Sequence, residues 1–161
     1  QLGLLYMPQL RPGLAVEELM EEELVLVASW PNPTMDMGGR YVFVDWGPEF
    51  VNAHAAALPE LTNPGTTFAL GAMVAEYIVN REAAAYLPAR YVKKYLDSGQ
   101  LHLVRDAPSL PYPVWAVWRE DLDPKIRDAA KEVLRHVGDA AEQAGDEVVG
   151  VLRNLNNDNQ L

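Results

Sequence analysis

Short apolar runs alternate along this chain with longer segments in which apolar residues recur at helical spacing. The short runs predict buried strands at residues 2–7, 24–28, 41–45, 66–68, 84–87, 101–104 and 114–118. Strands separated by helices of about ten residues are typical of proteins in which helices cover both faces of a sheet. The pattern therefore predicts an α/β fold with mixed, mostly parallel sheets.

Prolines and one capping residue mark where the predicted helices begin. The apolar spacing predicts helices over residues 50–58, 70–80, 88–96 and 124–141, and one further short helix over 146–155. Pro48, Pro88 and Pro124 suit the first turn of a helix, because proline has the required backbone angle and lacks the amide hydrogen that would be left unpaired. Asp123 can cap the helix that Pro124 opens. We expect the polar residues 154–160 to fray.

The chain is acidic and contains no cysteine. Its 13 basic and 23 acidic residues give a net charge of -10, which would repel a nucleic-acid backbone or an anionic membrane surface. The lack of cysteine is compatible with a reducing compartment. No apolar run reaches the roughly 20 residues of a membrane helix, and no export signal opens the sequence. We expect a cytoplasmic protein that does not itself bind DNA or a membrane.

Glutamates cluster between residues 17 and 23, just before the predicted strand at 24–28. We interpret the cluster as a solvated surface with a short helical turn, because like charges this close repel each other unless water screens them. The alternative is that the cluster steers a basic partner towards the protein.

The sequence does not contain a pattern that predicts catalysis or metal binding. It has no nucleophile elbow, no glycine-rich phosphate loop and no evident carboxylate pair. His54, His102 and His136 lack a second ligand at metal spacing. His54 lies one helical turn from Phe50 and Leu58, which favours a hydrogen-bonded histidine in a packed face over a ligand-sensing one. We expect neither enzyme activity, cofactor nor metal, with a small α/β enzyme as the remote alternative.

Several segments occur in an order and spacing that are specific to one family. They are residues 2–6 with Pro8, 12–19, 24–28, 41–47 with Phe50 and His54, 85–88, 101–104, 107–108 and 114–118. Together they resemble the effector-binding domain of LysR-type transcriptional regulators, whose fold is that of the type 2 periplasmic binding proteins. The resemblance extends to about residue 140.

The resemblance implies a two-lobed sensor, truncated at its N-terminus, that binds a small molecule between its lobes. Residues 31–111 would form the second lobe, and residues 1–30 and 112–161 would form part of the first. A winged helix-turn-helix, a linker helix and the opening of the first lobe would precede residue 1, so that DNA is bound only through the missing part. The hinge residues on this interpretation are Val27, Ala28, Val114 and Trp115.

The ligand of such a fold is held where strand ends meet helix starts, because free helical amides attract anions there. Amides at Gly47 and Gly71 could receive a carboxylate, and Trp46 could stack on an aromatic ring. The alternatives left open are that these helix ends are merely solvated and that Trp46 packs in the core. The predicted effector contacts are Trp46, Gly47, Phe68, Leu70, Gly71 and Tyr86.

The sequence predicts the chemical class of the effector and the kind of protein partner, but not their identities. The effector would be a small carboxylate or an aromatic metabolite, and the resemblance also implies a homodimer, with residues 101–104 as a candidate subunit contact. A solute-binding protein of a transport system shares the fold and is the alternative function. The upstream sequence would distinguish the two, because a helix-turn-helix indicates the regulator and an export signal the transporter.

Overall fold

The computed structural model describes residues 2–6, 8–62 and 65–158, which contain nine strands and four α-helices. The strands are β1 (Leu2–Leu5), β2 (Leu14–Met20), β3 (Glu23–Ala28), β4 (Val42–Val44), β5 (Thr66–Phe68), β6 (Ala84–Pro88), β7 (His102–Leu103), β8 (Leu110–Pro111) and β9 (Val114–Arg119). The α-helices are α1 (Pro48–Ala57), α2 (Val74–Val79), α3 (Ala89–Asp97) and α4 (Pro124–Asn157), with 3-10 turns at Pro59–Leu61 and Gly71–Met73. The predicted α/β class is confirmed. Residue 7 of the first predicted strand and residues 159–160 of the predicted frayed end lie outside the described residues.

The described strands form a three-stranded sheet, a four-stranded sheet and a two-stranded sheet, and antiparallel pairing predominates among them. The first sheet has the order β1-β9-β2 and is antiparallel throughout. In the second sheet, β3 pairs antiparallel with β6 on one side and with β7 and β8 on the other. The expectation of mostly parallel sheets is therefore wrong for the described strands. The physical reason is that the chain crosses between the sheets and returns alongside itself, which makes the crossing strands antiparallel.

The remaining strands, β4 and β5, form a separate parallel sheet, which we count with the second sheet because one bridge joins the two. β4 pairs in parallel with β5, and a parallel bridge between Tyr41 and Ala84 connects β4 to β6. The amide of Ala84 also donates a hydrogen bond to the Arg40 carbonyl at 3.0 Å. The carboxyl ends of β4, β5 and β6 therefore lie at the same edge of the sheet.

Two extended segments join the two sheets. β2 runs into β3, and β8 runs back into β9, with two residues between the strands of each pair. Met20 pairs with Val114 in the first sheet, and Glu23 pairs with Pro111 in the second. We call residues 20–23 and 111–114 the crossover ribbon.

Both faces of the second sheet are buried, which explains the unbroken apolar runs in β3 and β6. Val25, Val27 and Leu87 face one apolar cluster, which includes side chains of α2, α3 and the end of α4. Leu26 and Tyr86, which alternate with them along the strands, face a second cluster on the side of α1. Each of these five residues is fully buried.

One helix of 34 residues, α4, replaces the two helices predicted over 124–141 and 146–155. Its predicted start is confirmed, since the Asp123 carboxylate accepts a hydrogen bond from the Lys125 amide at 2.8 Å. Gly145 lies inside the helix and is buried, because a Cβ there would lie 3.9 Å from the Ala89 Cβ of α3. The prediction of two separate helices is therefore wrong.

The helix α4 packs against both sheets. In its first half, a Cβ placed on Gly138 would lie 3.2 Å from the carbonyl oxygen of Leu19 in β2. In its second half, Val148, Val149 and Leu152 are buried in the apolar cluster of the second sheet. No helix in the described residues has the length and apolar character that a membrane crossing requires.

The glutamate cluster is not a solvated helical turn. Glu17 and Glu18 lie in β2, where they are exposed, and Lys131 of α4 forms an ion pair with Glu17. Glu22, in contrast, lies in the crossover ribbon with only 3% of its surface exposed, and it pairs with Arg90 of α3. The predicted helical turn is wrong because the charges of β2 hid its strand pattern. The predicted exposure holds for Glu17, Glu18 and Glu21 but not for Glu22, because α3 brings it a partner from far along the chain.

Candidate functional site

The carboxyl ends of the three parallel strands meet beside α3. Trp46 follows β4, Gly71 follows β5, and Arg90 follows β6 in the first turn of α3. This edge of a parallel sheet is where ligands bind in open α/β folds. The topology therefore assembles residues that are far apart in sequence.

Trp46 and Gly71 are in direct contact. A Cβ built on Gly71 would lie 2.0 Å from Cη2 of the Trp46 ring, so only glycine fits here. The indole Nε1–H of Trp46 donates to the carbonyl oxygen of Tyr86 at 2.9 Å. Its ring also meets the Tyr112 ring edge-on, with 5.4 Å between centroids. Trp46 is thus held in one orientation, half-buried at the end of β4.

Arg90 and Tyr6 form the opposite wall. The guanidinium of Arg90 donates from Nε to the Glu22 carboxylate and from Nη2 to the Tyr6 hydroxyl, the latter at 3.4 Å. The Tyr6 ring stacks on Tyr112 with centroids 4.2 Å apart. Burial raises the pKa of Glu22 above its ordinary value, and the ion pair with Arg90 opposes that shift.

Tyr91 and Lys94 extend this wall along α3. The Tyr91 hydroxyl donates to the Ala72 carbonyl at 3.2 Å, which ties α3 to the turn after β5. Burial, with the neighbouring Tyr95, raises the pKa of Tyr91 to about 12, so that its hydroxyl is a proton donor at neutral pH. Lys94 lies over the rings of Tyr91 and Tyr95 at 5.2 and 4.8 Å.

These residues enclose an open cavity of about 550 Å³ between the second sheet and α4. Its lining residues are Tyr6, Trp46, Gly71, Ala72, Pro88, Arg90, Tyr91, Lys94, Ala141 and Ala144. The lining thus contains two cationic side chains, three aromatic side chains and no carboxylate. Such a surface favours a small anion with a planar, apolar body.

Two other cavities in the described residues have a different electrostatic character. The cavity of about 450 Å³ beside β7 has Asp97 and Glu147 in its wall. The cavity of about 530 Å³ between α4 and the first sheet includes Glu17, Glu18 and Glu132. In a chain with a net charge of -10, the cavity at Trp46 stands out because its walls lack acidic groups.

The six predicted effector contacts are only partly brought together. Trp46 and Gly71 line the cavity, and Gly47 is the adjoining N-cap of α1, where its φ of 105° requires glycine. Leu70 is 67% exposed and does not line the cavity, while Phe68 packs on Tyr77. Whether any of these residues contacts an effector stays a prediction.

The side chain of Tyr86 is not part of the cavity lining. It is fully buried in the α1 cluster, and its hydroxyl donates to the Pro108 carbonyl at 2.8 Å. Only its main-chain carbonyl reaches the site, through Trp46. Strand alternation explains this, since neighbours of Tyr86 in β6 face the opposite cluster.

The predicted hinge residues lie at different distances from the crossing between the sheets. Val114 belongs to the crossover ribbon and Trp115 follows it in β9. Val27 and Ala28 lie deeper in the second sheet, where they pair with Leu103 and His102. The hinge role of all four stays a prediction, and the ribbon is the place where the chain passes from one sheet to the other.

His54 is a packed and hydrogen-bonded histidine, as predicted. It is 1% exposed, and its Nε2 lies 2.8 Å from the Tyr41 hydroxyl. Burial lowers its pKa from the ordinary value of 6.5. The described residues contain no group of three or more His, Cys, Asp or Glu side chains that could hold a metal ion.

Sequence reasoning missed Tyr6, Glu22, Arg90, Tyr91 and Lys94. A usable signal was present in α3, where two basic residues at i and i+4 flank a tyrosine directly after a strand and a proline. No local signal connects Tyr6 or Glu22 to that helix, because the contacts span 84 and 68 residues.

Solved structures with the same architecture are regulatory domains. The regulatory domain of MetR, a LysR family regulator from Neisseria meningitidis, is 20% identical with a TM-score of 0.63, covering 87% of this chain and 71% of that one. The regulatory domain of CrgA, a LysR-type transcriptional regulator from the same species, is 17% identical with a TM-score of 0.64, covering 85% and 74%. The chain therefore has the fold of these domains, which is that of the type 2 periplasmic binding proteins.

The family follows from the sequence comparison. The family described as LysR substrate binding domain matches residues 1–138, and the chain belongs to this family. The HTH-type transcriptional regulator HdfR of Escherichia coli is 28% identical over 94 residues, which are 57% of this chain and 33% of that protein. The chain thus spans about a third of the length of the curated relatives that it matches. The predicted family and fold are confirmed.

Proposed function

We propose that this chain is the effector-sensing part of a bacterial LysR-type transcription regulator and that it binds a small carboxylate with an aromatic body. The cavity at Trp46 is the proposed site. The observation that carries the proposal is its lining, which combines Arg90 and Lys94 with three aromatic rings and no acidic group, in a strongly acidic chain. Hydrogen bonds between a cation and a carboxylate contribute about 1.5–3 kcal/mol each, and less where water screens them.

The proposed division into lobes follows the sheets except at β3, which falls in the first lobe by this division although it pairs with β6, β7 and β8 of the second sheet. Residues 1–30 and 112–161 would belong to one lobe and residues 31–111 to the other, with the cavity between Tyr6 and α4 on one side and α3 on the other. An effector in contact with both sides would favour one arrangement of the sheets over others. Coupling of this kind is typically worth about 1–3 kcal/mol, and it needs no catalytic step and no cofactor.

The remaining features of the proposed regulator rest on its family. We propose a cytoplasmic homodimer that binds DNA through a winged helix-turn-helix domain outside this chain. The candidate subunit contact at residues 101–104 has little support, because Leu101, Leu103 and Val104 are buried within the chain itself. Val148 and Leu152 of α4 pack in the same apolar cluster as Leu101 and Leu103.

A thermal-shift screen of small acids tests the proposed site. Benzoate and related aromatic carboxylates should raise the melting temperature, because a ligand at 100 times its Kd stabilises the folded state by about 2.7 kcal/mol. Arg90→Gln should abolish the shift, whereas Lys93→Gln on the same helix, which pairs with Asp97 and Glu147 away from the cavity, should not. Equal shifts with neutral amides, or an undiminished shift in Arg90→Gln, would contradict an anion site.

A further inference from the structure

A buried carboxylate lies directly behind the cationic wall of the cavity. Glu22 is 3% exposed and binds Arg90, whose side chain is 41% exposed and lines the cavity. Glu22 itself is not part of the cavity lining. The same guanidinium therefore has a buried anion on one side and an open, acid-free space on the other.

The donors of Arg90 are only partly used within the described residues. Of its five N–H groups, Nε–H binds Glu22 and one group on Nη2 binds the Tyr6 hydroxyl. The remaining donors leave room for a carboxylate from solution. Such a ligand would share one cation with Glu22, and the two negative charges would repel each other across it.

Glu22 is also part of the connection between the two sheets. It lies in the crossover ribbon, and its carbonyl accepts a hydrogen bond of 2.7 Å from the amide of Tyr112 on the returning segment. Gly145 of α4 adjoins it, since a Cβ there would lie 3.7 Å from a carboxylate oxygen of Glu22. The ribbon, α3 and α4 therefore converge on this one side chain.

We propose that Glu22 is the internal counter-ion of the cavity, which competes with an anionic ligand for Arg90 and thereby links occupancy of the cavity to the crossover ribbon. The inference rests on the proposed function for the identity of the ligand as an anion. Glu22 then has two roles. Its carboxylate orients Arg90, and its charge lowers the affinity of the cavity for a second anion. An occupied cavity weakens the hold of Arg90 on Glu22 and loosens the ribbon.

Paired ligands that differ only in charge test the competition. Benzoate is the anionic probe and benzamide the neutral one, and binding to the full chain is measured by calorimetry. Glu22→Gln keeps an oxygen that accepts from Arg90 Nε–H but removes the competing charge, so benzoate should bind about tenfold tighter while benzamide is unchanged. Lys93→Gln should change neither affinity, because that exposed pair lies away from the cavity.

Hydrogen exchange tests the link to the ribbon without any ligand. Glu22→Gln and Arg90→Gln should each speed exchange of the amides in residues 20–23 and of Tyr112 and Val114. The double variant should show no further increase, because both changes remove the same interaction. Far-UV circular dichroism on each variant, with the more conservative Arg90→Lys alongside, verifies that the fold is intact.

The outcomes separate this inference from the proposed function. If benzoate binds the unchanged chain and Glu22→Gln binds it no tighter, the competition is wrong while the anion site stands. If benzoate binds only Glu22→Gln, the competition is supported. If benzoate binds neither protein, the proposed anion site is wrong. Hydrogen exchange then tests the link between Glu22 and the crossover ribbon by itself, and unchanged exchange in Glu22→Gln would overturn that link.

Discussion

The contact between Gly71 and Trp46 gives a sharp test of how the site is built. In Gly71→Ala, the new Cβ would lie 2.0, 2.5 and 2.6 Å from three atoms of the indole ring. Real Cβ atoms do not approach other atoms so closely, so the ring has to move. Its movement breaks the hydrogen bond from Nε1 to the Tyr86 carbonyl and disturbs the edge contact with Tyr112.

The expected loss can be worked out from these two effects. The lost hydrogen bond costs about 0.5–1.5 kcal/mol, and overpacking costs about 1–3 kcal/mol, so we expect a total of about 1.5–4.5 kcal/mol. In a chain of this size each kcal/mol corresponds to about 2–4 °C in Tm. The benzoate response should fall as well, because the displaced ring no longer lines the cavity.

Urea unfolding followed by tryptophan fluorescence and far-UV circular dichroism measures this loss. Gly150→Ala is the matched control, because nothing lies within 4 Å of a Cβ at that position of α4. That variant should gain about 0.5–1 kcal/mol from the higher helix propensity of alanine. A Gly71→Ala protein as stable as the unchanged chain would refute the packing of Trp46 against Gly71.

Three further changes probe other parts of the fold. Burial lowers the pKa of His54 in the folded chain, so that as the pH drops the unfolded chain binds a proton at this residue before the folded chain does. The free energy of unfolding should therefore fall below about pH 6.5. In urea titrations, His54→Gln should show a smaller fall between pH 7.5 and 5.5. Leu152→Ala removes a side chain that is 3% exposed and should lower the free energy of unfolding by about 2–5 kcal/mol, whereas Val151→Ala, at a 58% exposed position, should cost far less. Asp123→Ala removes the cap that binds the Lys125 amide and should cost about 1 kcal/mol, a loss that Asp123→Ser should largely prevent.

Local sequence patterns predicted those parts of the fold that depend on neighbouring residues. The apolar run at β6, the proline that precedes α3 and the cap at Asp123 all act within a few residues, and each prediction is confirmed. The helix predicted over 70–80 begins instead with a 3-10 turn at Gly71–Met73, because the contact with Trp46 holds that turn in place.

The features that the sequence could not predict depend on distant contacts. Glu22 has the same local surroundings as the exposed glutamates beside it, and only the approach of Arg90 makes its burial tolerable. In the candidate site, Trp46 and Gly71 could be predicted because ligands bind at strand ends in this kind of fold. The charged wall could not, because it lies on a face of α3 whose partners are distant in the sequence.

The position of α4 has a consequence for how the protein unfolds. Two sheets joined only by the crossover ribbon would be able to melt one after the other. A single helix that contributes to the packing of both makes separate melting costly, because the loss of either sheet exposes apolar side chains of α4 that hold the other. Calorimetry should therefore show one cooperative transition in which the calorimetric and van't Hoff enthalpies agree, and two resolved transitions would mean that the helix does not join the halves energetically.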